Sequence, residues 1–406
     1  MSLGLSLMPE PGFLVELPRL TRLELEHPAE LELDPGPQLT ELALGADEAT
    51  CRQLLARWTG RALPLRRLEL RVQGELLLED ATWAGLGELR ELRAECGVFA
   101  CPEAPLPHLE TLDLRVMHAS ELGALLAGSP GLRELRYTGA LGRLDPLAAL
   151  PALEALYLGS SARTAPPALA ALAAWPRLTR LGLSADLQAG WPQAVAALTG
   201  LTRLDLDAAD RWPAEAWAAL RGLPALRELV VRAAPESAPA WLGFLDGMPL
   251  TRLHLQTARE GDLEPWPALP ELRHLSLVLA GEWSAEAFEA LLAGGRLESL
   301  QLGGALVPAR ALEPLAELQP ALESLRVHAE GVDDRTLEAL GRLPVLRELE
   351  LVGVEPQDVT QIGWKALLRA PLERLHLSRV PPPGTSWRQA LRFTLHSLRG
   401  NLDVGW

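Results

Sequence analysis

Apolar residues recur along the chain in a six-residue motif with leucine, or an equivalent apolar residue, at positions one, four and six. The motif begins sixteen times at steps of 19 to 26 residues, with LTRLEL from Leu20, LTRLDL from Leu201 and LRELEL from Leu346 as typical copies. Polar residues alternate with the apolar ones from position three onward, which predicts a short β-strand in each copy. Repeats of this length predict stacked units that share one core, and this overrides the two or three domains that 406 residues would otherwise suggest.

The segments between motifs predict returns of mixed structure. Apolar residues at helical spacing predict helices within 214–223, 284–295 and 333–343, whereas 183–193 is predicted to be irregular. A proline often stands shortly before the motif, where it ends the preceding helix. Four residues occupy predicted N-cap positions: Asp47, Ser120, Ser284 and Asp333.

The motif resembles that of the leucine-rich repeat family, and the resemblance covers residues 18 to 380. It implies an α/β solenoid, a curved horseshoe with a parallel sheet on the concave face and mixed helices and turns on the convex face. The family motif continues to an asparagine at position nine, whose amide bonds neighbouring loops in a ladder. Here five successive units carry alanine at that position, so we expect backbone groups to pair directly or through water, in a less regular superhelix.

The ends of the repeat array predict caps, because a bare terminal unit would expose core residues. Residues 1–17 are predicted to form an N-terminal cap with a strand around Leu5–Leu7, and residues 18–380 a solenoid of about sixteen units. The run Pro381–Gly384 breaks the pattern. Residues 381–406 are therefore predicted to form a C-terminal cap, with an amphipathic helix over 385–398 and a closing strand.

Composition indicates the cellular compartment and the class of partner. The formal net charge of −15 disfavours nucleic acid and anionic membranes as partners, since both are negatively charged. The three cysteines, Cys51, Cys96 and Cys101, have no zinc-site spacing and are predicted to be buried thiols in a reducing compartment. We expect a cytoplasmic protein, because the sequence shows neither a signal-peptide pattern nor a long apolar run, and the arginine-rich composition suggests a bacterial source.

Motifs for catalysis are missing from the sequence. We find no phosphate-binding glycine loop, no zinc-protease motif and no nucleophile elbow, so no catalytic residue, cofactor, metal or small-molecule substrate is predicted. Asp205, Asp207 and Asp210 have a spacing that would also suit a metal or an acid/base pair. Ion pairing of the first two with Arg203 and Arg232 on the same and the next strand explains them better.

The outward positions three, five and seven of the strands carry the candidate binding residues. Arginine and glutamate alternate at position three from Arg22 to Glu91 and again from Arg203 to Arg252, which predicts ion pairs across these strands. Tyr157 is the one aromatic residue at these positions, with Gly159 and Gly182 leaving space beside it. Histidines gather in the last units, either as a neutral polar surface or, for His254 and His274, as a shared ion site. The predicted partner-binding residues are Arg136, Tyr157, Arg232, His254, His274 and Arg326.

The resemblance implies a non-enzymatic scaffold or adaptor that holds a protein partner on its concave sheet. The alternative is a regulator of a small GTPase, similar to the GTPase-activating leucine-rich repeat proteins. Those proteins rely on a loop asparagine, and the only asparagine here is Asn401, outside the predicted solenoid. Tryptophans concentrate in the returns, where they either pack between helices or form a second interface.

Overall fold

The computed structural model divides the chain into two compact units, Met1–Leu201 and Thr202–Trp406. The division falls at the first leucine of the ninth motif. The structure describes residues 2–5, 19–26, 38–59, 64–120, 122–139, 150–159, 175–184, 191–207, 217–218, 220–232, 242–257, 266–279, 285–292, 296–352, 354 and 358–378.

The first unit is built on parallel strands, one starting at position three of each motif. A strand needs only its alternating side chains and a neighbour with the same spacing, and the repeat supplies both. Neighbouring strands pair so that equal motif positions face each other, as Leu112 faces Leu135. The described strands are β1 Ser2–Leu5, β2 Arg22–Glu26, β3 Glu41–Asp47, β4 Arg67–Gln73, β5 Glu75–Leu76, β6 Glu91–Ala100, β7 Thr111–Ser120, β8 Glu134–Thr138, β9 Ala155–Leu158 and β10 Arg180–Ser184.

The second unit repeats this construction. Each strand pairs in parallel with the next, and the register shifts once, between Leu302 and Val307 of β15. The described strands are β11 Arg203–Asp207, β12 Glu228–Arg232, β13 Arg252–Thr257, β14 His274–Leu279, β15 Ser299–Pro308, β16 Ser324–Glu330, β17 Glu348–Val352 and β18 Arg374–Ser378. The predicted parallel sheet is therefore present in both units.

Leucines of the motif form the core of each unit. Leu109, Leu112 and Leu114, at positions one, four and six of one motif in the first unit, are each 0% exposed. Alternation along a strand puts positions three, five and seven on the opposite side, which we call the exposed sheet face. The sequence pattern thus separates the core from the surface that is available to a partner.

The returns contain short helices, as predicted. Asp47 and Asp333 act as N-caps, because each side chain accepts a hydrogen bond at 2.9 Å from the backbone N–H three residues later. Residues 183–193 were predicted to be irregular, but a helix begins at Trp191. Ser284 and part of 214–223 lie outside the described residues. The described helices are Glu48–Thr59, Asp80–Ala84, Leu122–Ala127, Trp191–Ala196, Ala285–Leu292, Leu315–Leu318, Asp334–Leu340 and Gln361–Leu367, with 3₁₀ turns at Leu242–Leu245 and Ala309–Leu312.

A backbone ladder runs along the start of the strands in each unit. The carbonyl at motif position two accepts two hydrogen bonds, from the N–H groups at positions two and three of the following motif. The Thr21 carbonyl, for example, receives the N–H groups of Thr40 and Glu41 at 2.9 and 3.0 Å. This carbonyl ladder links consecutive repeats through the backbone alone, without the position-nine asparagine.

One buried side chain adds a further link between repeats. Gln319 is 0% exposed, and its amide oxygen accepts the Leu297 N–H at 2.7 Å while its nitrogen donates to the Leu292 carbonyl at 2.5 Å. Leu297 is the first residue of the preceding motif, and Leu292 is the last residue of the helix before that motif. The glutamine therefore does locally what a loop asparagine does in the family ladder.

The ends of the array are described only in part. The strand that we predicted around Leu5–Leu7 is found at Ser2–Leu5, where it pairs in parallel with β2. Residues 6–18 and 379–406 lie outside the described residues, so the C-terminal cap helix and closing strand remain predictions.

Candidate protein-binding surface

Ion pairs between neighbouring strands order the exposed sheet face. The predicted position-three pairs are present: Arg22–Glu41 at 3.9 Å, Arg67–Glu91 at 3.5 Å and Arg203–Glu228 at 3.3 Å. Each is partly exposed and contributes on the order of a few tenths of a kcal/mol. They place opposite charges side by side on neighbouring strands.

The acidic residues with catalytic spacing are engaged in such pairs. Asp205 accepts two hydrogen bonds from the Arg203 guanidinium, at 3.0 and 3.1 Å. Asp207 accepts one from Arg232 at 2.7 Å. The predicted ion pairing is confirmed for both carboxylates, while Asp210 lies outside the described residues.

Tyr157 and Arg136 form a stacked pair in the first unit. The two residues face each other on β9 and β8, and the guanidinium carbon lies 4.2 Å from the ring centre. Glu134 holds the arginine from the other side, accepting a hydrogen bond from its Nε at 2.8 Å. We call these three residues the tyrosine patch.

A glycine makes room for the tyrosine ring. A Cβ at Gly182, directly opposite on β10, would lie 2.3 Å from a ring carbon of Tyr157. Gly159 has a different role from the one predicted, since the nearest contacts of a Cβ there would be with Thr138. The flat placement of Tyr157 across the sheet thus depends on Gly182.

A polar depression of about 340 Å³ opens on the exposed sheet face of the second unit. His254 Nδ1 lies 2.8 Å from the Ser276 hydroxyl, and His274 Nε2 lies 4.0 Å from a Glu298 carboxylate oxygen. Apart from leucines, the residues that line it are Arg203, Glu228, Val230, Arg252, His254, His274, Ser276, Ser299 and Gln301. We call this site the histidine depression.

Both histidines are held neutral at neutral pH. Burial, followed by the positive charge of Arg232, lowers the pKa of His254. Burial, followed by Arg252, lowers the pKa of His274. Strand register places His254 opposite Ser276 and His274 opposite Arg252, so the two rings are diagonal neighbours.

The six predicted binding residues occupy several places. Arg136 and Tyr157 lie together in the first unit, and His254 and His274 share the histidine depression of the second. Arg232 is bonded to Asp207 beside that depression, whereas Arg326 pairs with Glu350 at 2.5 Å and lines a separate depression of about 370 Å³. The predicted residues are therefore not one cluster.

Sequence reasoning overlooked the neutral polar residues of the depression. Ser276, Ser299 and Gln301 occupy outward positions and were visible as such in the pattern. Their importance appears only when β13, β14 and β15 are placed side by side.

Within the described parts of the chain, no group of three or more histidine, cysteine or acidic residues is placed to hold a metal ion. No described helix is both long and apolar enough to span a bilayer.

Parallel strands at a leucine-rich spacing, with short helical returns and an open polar sheet face, define a leucine-rich repeat solenoid. No protein-family model and no curated protein matches the sequence. Among solved structures, the fold is similar to an internalin of Listeria monocytogenes, at 14% identity over 85% of this chain and 82% of the internalin, with a TM-score of 0.36.

Two further solved structures are similar. One is TLR13 in complex with a single-stranded RNA, at 15% identity over 89% of this chain and 52% of TLR13, with a TM-score of 0.47. The other is a leucine-rich repeat protein of Leptospira interrogans, at 16% identity over 97% of each chain, with a TM-score of 0.38. Similarity at these identities concerns the fold alone.

Proposed function

We propose that this protein is a non-enzymatic scaffold that holds a protein partner on its exposed sheet face. The stacked pair of Arg136 and Tyr157 is the observation that carries the proposal. Tyrosine and arginine are enriched among residues that dominate binding energy, because they bury a large area at a low cost in conformational entropy. Here Glu134 accepts a hydrogen bond from Arg136, and the ring of Tyr157 packs over Gly182. Both side chains are therefore positioned before a partner binds.

Preorganisation strengthens this reading. A side chain that is immobilised only on binding costs about 0.5–1.5 kcal/mol. The hydrogen bonds from Arg136 to Glu134 and from Arg203 to Asp205 favour the observed positions of these side chains beforehand, which lowers that cost. Ion pairs also occupy Asp205 and Asp207, which favours a structural role for these carboxylates over acid/base chemistry.

The alternative function, regulation of a small GTPase, lacks a supporting residue in the described structure. The GTPase-activating proteins of this architecture rely on a loop asparagine. The only asparagine of this chain, Asn401, lies outside the described residues. Binding of a protein partner is therefore the function that we carry forward.

A paired substitution tests the proposal. We expect Tyr157→Ala with Arg136→Gln to weaken the complex with the native partner by about ten-fold or more, equivalent to about 1.4 kcal/mol. The melting temperature should fall only slightly, because both side chains are half-buried on the sheet face and neither belongs to the leucine core. The partner would be recovered by affinity purification from the native host, and its affinity measured by calorimetry.

The control carries the same kind of change on the returns. Ile362→Ala with Arg342→Gln removes one exposed apolar side chain, 75% accessible, and one exposed guanidinium. We expect full affinity from this variant. If it loses the partner while the Tyr157 and Arg136 variant keeps it, binding occurs through the returns and the proposal is wrong.

A further inference from the structure

The exposed sheet face of the second unit changes character at its centre. Strands β11, β12, β17 and β18 carry charged residues at outward positions, engaged in ion pairs such as Arg232–Asp207. On β13, β14 and β15 the outward residues are Arg252, His254, Gln256, His274, Ser276, Val278, Ser299, Gln301 and Gly303. Arg252 is the one permanent charge among these nine.

Neutral polar residues have a lower desolvation cost than charged residues when a partner covers such a face. Removing a charged side chain from water costs several kcal/mol unless a partner charge replaces the water, whereas a hydroxyl or amide needs only a hydrogen bond. Charged residues are accordingly depleted at the centres of protein interfaces. The outward residues of β13, β14 and β15 therefore have the composition of an interface centre.

Arg252 is loosely held at the edge of the depression. Its Nη1 lies 3.6 Å from Glu228 Oε1, which is too long for a hydrogen bond, and its side chain is 58% exposed. The same Glu228 carboxylate also serves Arg203 at 3.3 Å. Two guanidinium groups thus share one carboxylate, and Arg203 has a second one, because Asp205 accepts a hydrogen bond from its Nε at 3.0 Å. Arg252 is therefore the less engaged guanidinium of the two that line the depression.

We infer that the histidine depression binds a carboxylate side chain from an acidic segment of the protein partner, with Arg252 as its counter-charge. Hydroxyl and amide groups of Ser299 and Gln301 line the same depression and are suited to donate hydrogen bonds to the carboxylate. This inference rests on the proposed scaffold function and names the chemistry of the partner. It also explains how an acidic protein can accept an acidic segment.

The geometry further implies that binding takes up protons. His254 and His274 line the depression and are neutral when it is empty. A carboxylate beside them favours their charged forms and raises their pKa values, so affinity increases as the pH falls from about 7.5 to about 5.5. The gain ends when the partner carboxylate itself protonates near pH 4. The charged groups that act on the two histidines are Arg232 and Asp205 for His254, and Arg252, Glu298, Glu228 and Arg273 for His274.

A display experiment tests the inference without knowledge of the native partner. Random peptides displayed on phage would be enriched for binding to the full wild-type chain at about pH 5.5. Peptides that also bind the Arg252→Gln variant would be removed. We expect the enriched peptides to contain an aspartate or glutamate on which binding depends. Replacing that residue by asparagine or glutamine in a synthetic peptide should weaken binding by about ten-fold, measured by fluorescence anisotropy.

Matched variants separate the site from general charge effects. Arg347→Gln removes a guanidinium that is also 58% exposed but pairs with Glu373 away from the depression, and it should leave peptide binding unchanged. The double variant His254→Gln with His274→Gln should still bind the acidic peptide at about pH 7.5 and should lose the increase in affinity toward about pH 5.5.

Several outcomes would overturn the inference. Enrichment of neutral, apolar or basic peptides, no enrichment at all, or equal binding by the Arg252→Gln and wild-type proteins would each do so. The scaffold proposal is tested separately, by the native partner and the tyrosine patch. A partner that is lost with Tyr157→Ala and Arg136→Gln but retained at all pH values by Arg252→Gln would support the scaffold and refute the carboxylate site.

Discussion

All three cysteines of this protein are free thiols whose side chains are buried. Cys51 is 0% exposed, and burial, with a smaller effect of Asp47, raises the pKa of its thiol to about 11. Burial likewise raises the pKa of Cys96 to about 11. Cys101 is buried as well. Since the thiolate is the reacting species, these cysteines should be inert in the folded protein.

We expect none of the three cysteines to react with an aromatic disulfide reagent at about pH 8 while the protein is folded, because all three are buried and the raised pKa values of Cys51 and Cys96 keep their thiolate fractions low. All three should react after unfolding in urea. The melting temperature should be the same with and without a reductant. Fast labelling of one thiol, or a melting temperature that falls in reductant, would contradict the burial of these side chains as thiols.

Gln319 marks the limit of prediction for a single residue. It occupies the position three residues before a motif leucine, where other repeats have leucines such as Leu86, Leu106 and Leu150. The pattern therefore predicts that this position is buried. It cannot predict the hydrogen bonds, because the Leu297 N–H and the Leu292 carbonyl lie 22 and 27 residues earlier in the chain and their orientation follows from the stacking.

Neighbouring return helices are connected through their caps. Asp333 caps the helix Asp334–Leu340, which its own sequence predicts. Asp334 reaches across and accepts the backbone N–H of Thr360 at 2.7 Å, while the Thr360 hydroxyl accepts the Ile362 N–H at the start of Gln361–Leu367. This second contact was not predictable, because the lateral offset of adjacent returns is absent from the motif.

Close packing of these two helices makes Gly341 sensitive to substitution. A Cβ at this position would lie 2.1 Å from the Ala366 carbonyl oxygen. Because that atom is backbone, Gly341→Ala should force the helices apart and lower the free energy of unfolding by about 1–3 kcal/mol. Urea denaturation measures the change.

Gly243→Ala is the matched control, because open space surrounds the added methyl group. It should alter the free energy of unfolding by less than about 0.5 kcal/mol. Equal stability of the two variants would show that the helices Asp334–Leu340 and Gln361–Leu367 are not in the contact described.

The segment 183–193 shows why irregular returns are hard to predict. Its glycine and proline argue against a helix, yet one begins at Trp191 with Pro192 in its first turn. Proline is accepted there because the first-turn N–H groups have no partner within the helix and its fixed backbone angle suits a helix start. The same glycine and proline that disfavour a helix interior are therefore compatible with a helix start at Trp191.

At the scale of the whole molecule, stability comes from leucine columns that continue from repeat to repeat within each unit. Leu325 is 1% exposed between its neighbours Leu300 and Leu349 on the adjacent strands. Leu325→Ala should lower the free energy of unfolding by about 2–5 kcal/mol, through lost burial and the cavity left behind. Chemical denaturation followed by circular dichroism would measure this.

Leu318→Ala provides the comparison, since Leu318 is 36% exposed on a short return helix. Its cost should be clearly smaller than that of Leu325→Ala. A similar cost for both changes would mean that the strand leucines do not form the main core.

The sequence predicts the strands, their register and the outward columns well, because one period governs all of them. The binding surface is less predictable. Tyr157 and the two histidines were recognised from their columns, yet the ion pair that occupies Arg326 and the loosely held Arg252 depend on which charges lie side by side. Only the stacking of particular strands fixes those neighbours.

The carbonyl ladder has a consequence for how such a protein can change over generations. Its hydrogen bonds come from backbone groups, so the residue at position two is threonine in one repeat, arginine in the next and glutamate in another. A change of side chain at position two therefore leaves the hydrogen bonds between repeats in place. New recognition surfaces can therefore arise by substitution of the outward residues of individual strands, in nature or in a designed library.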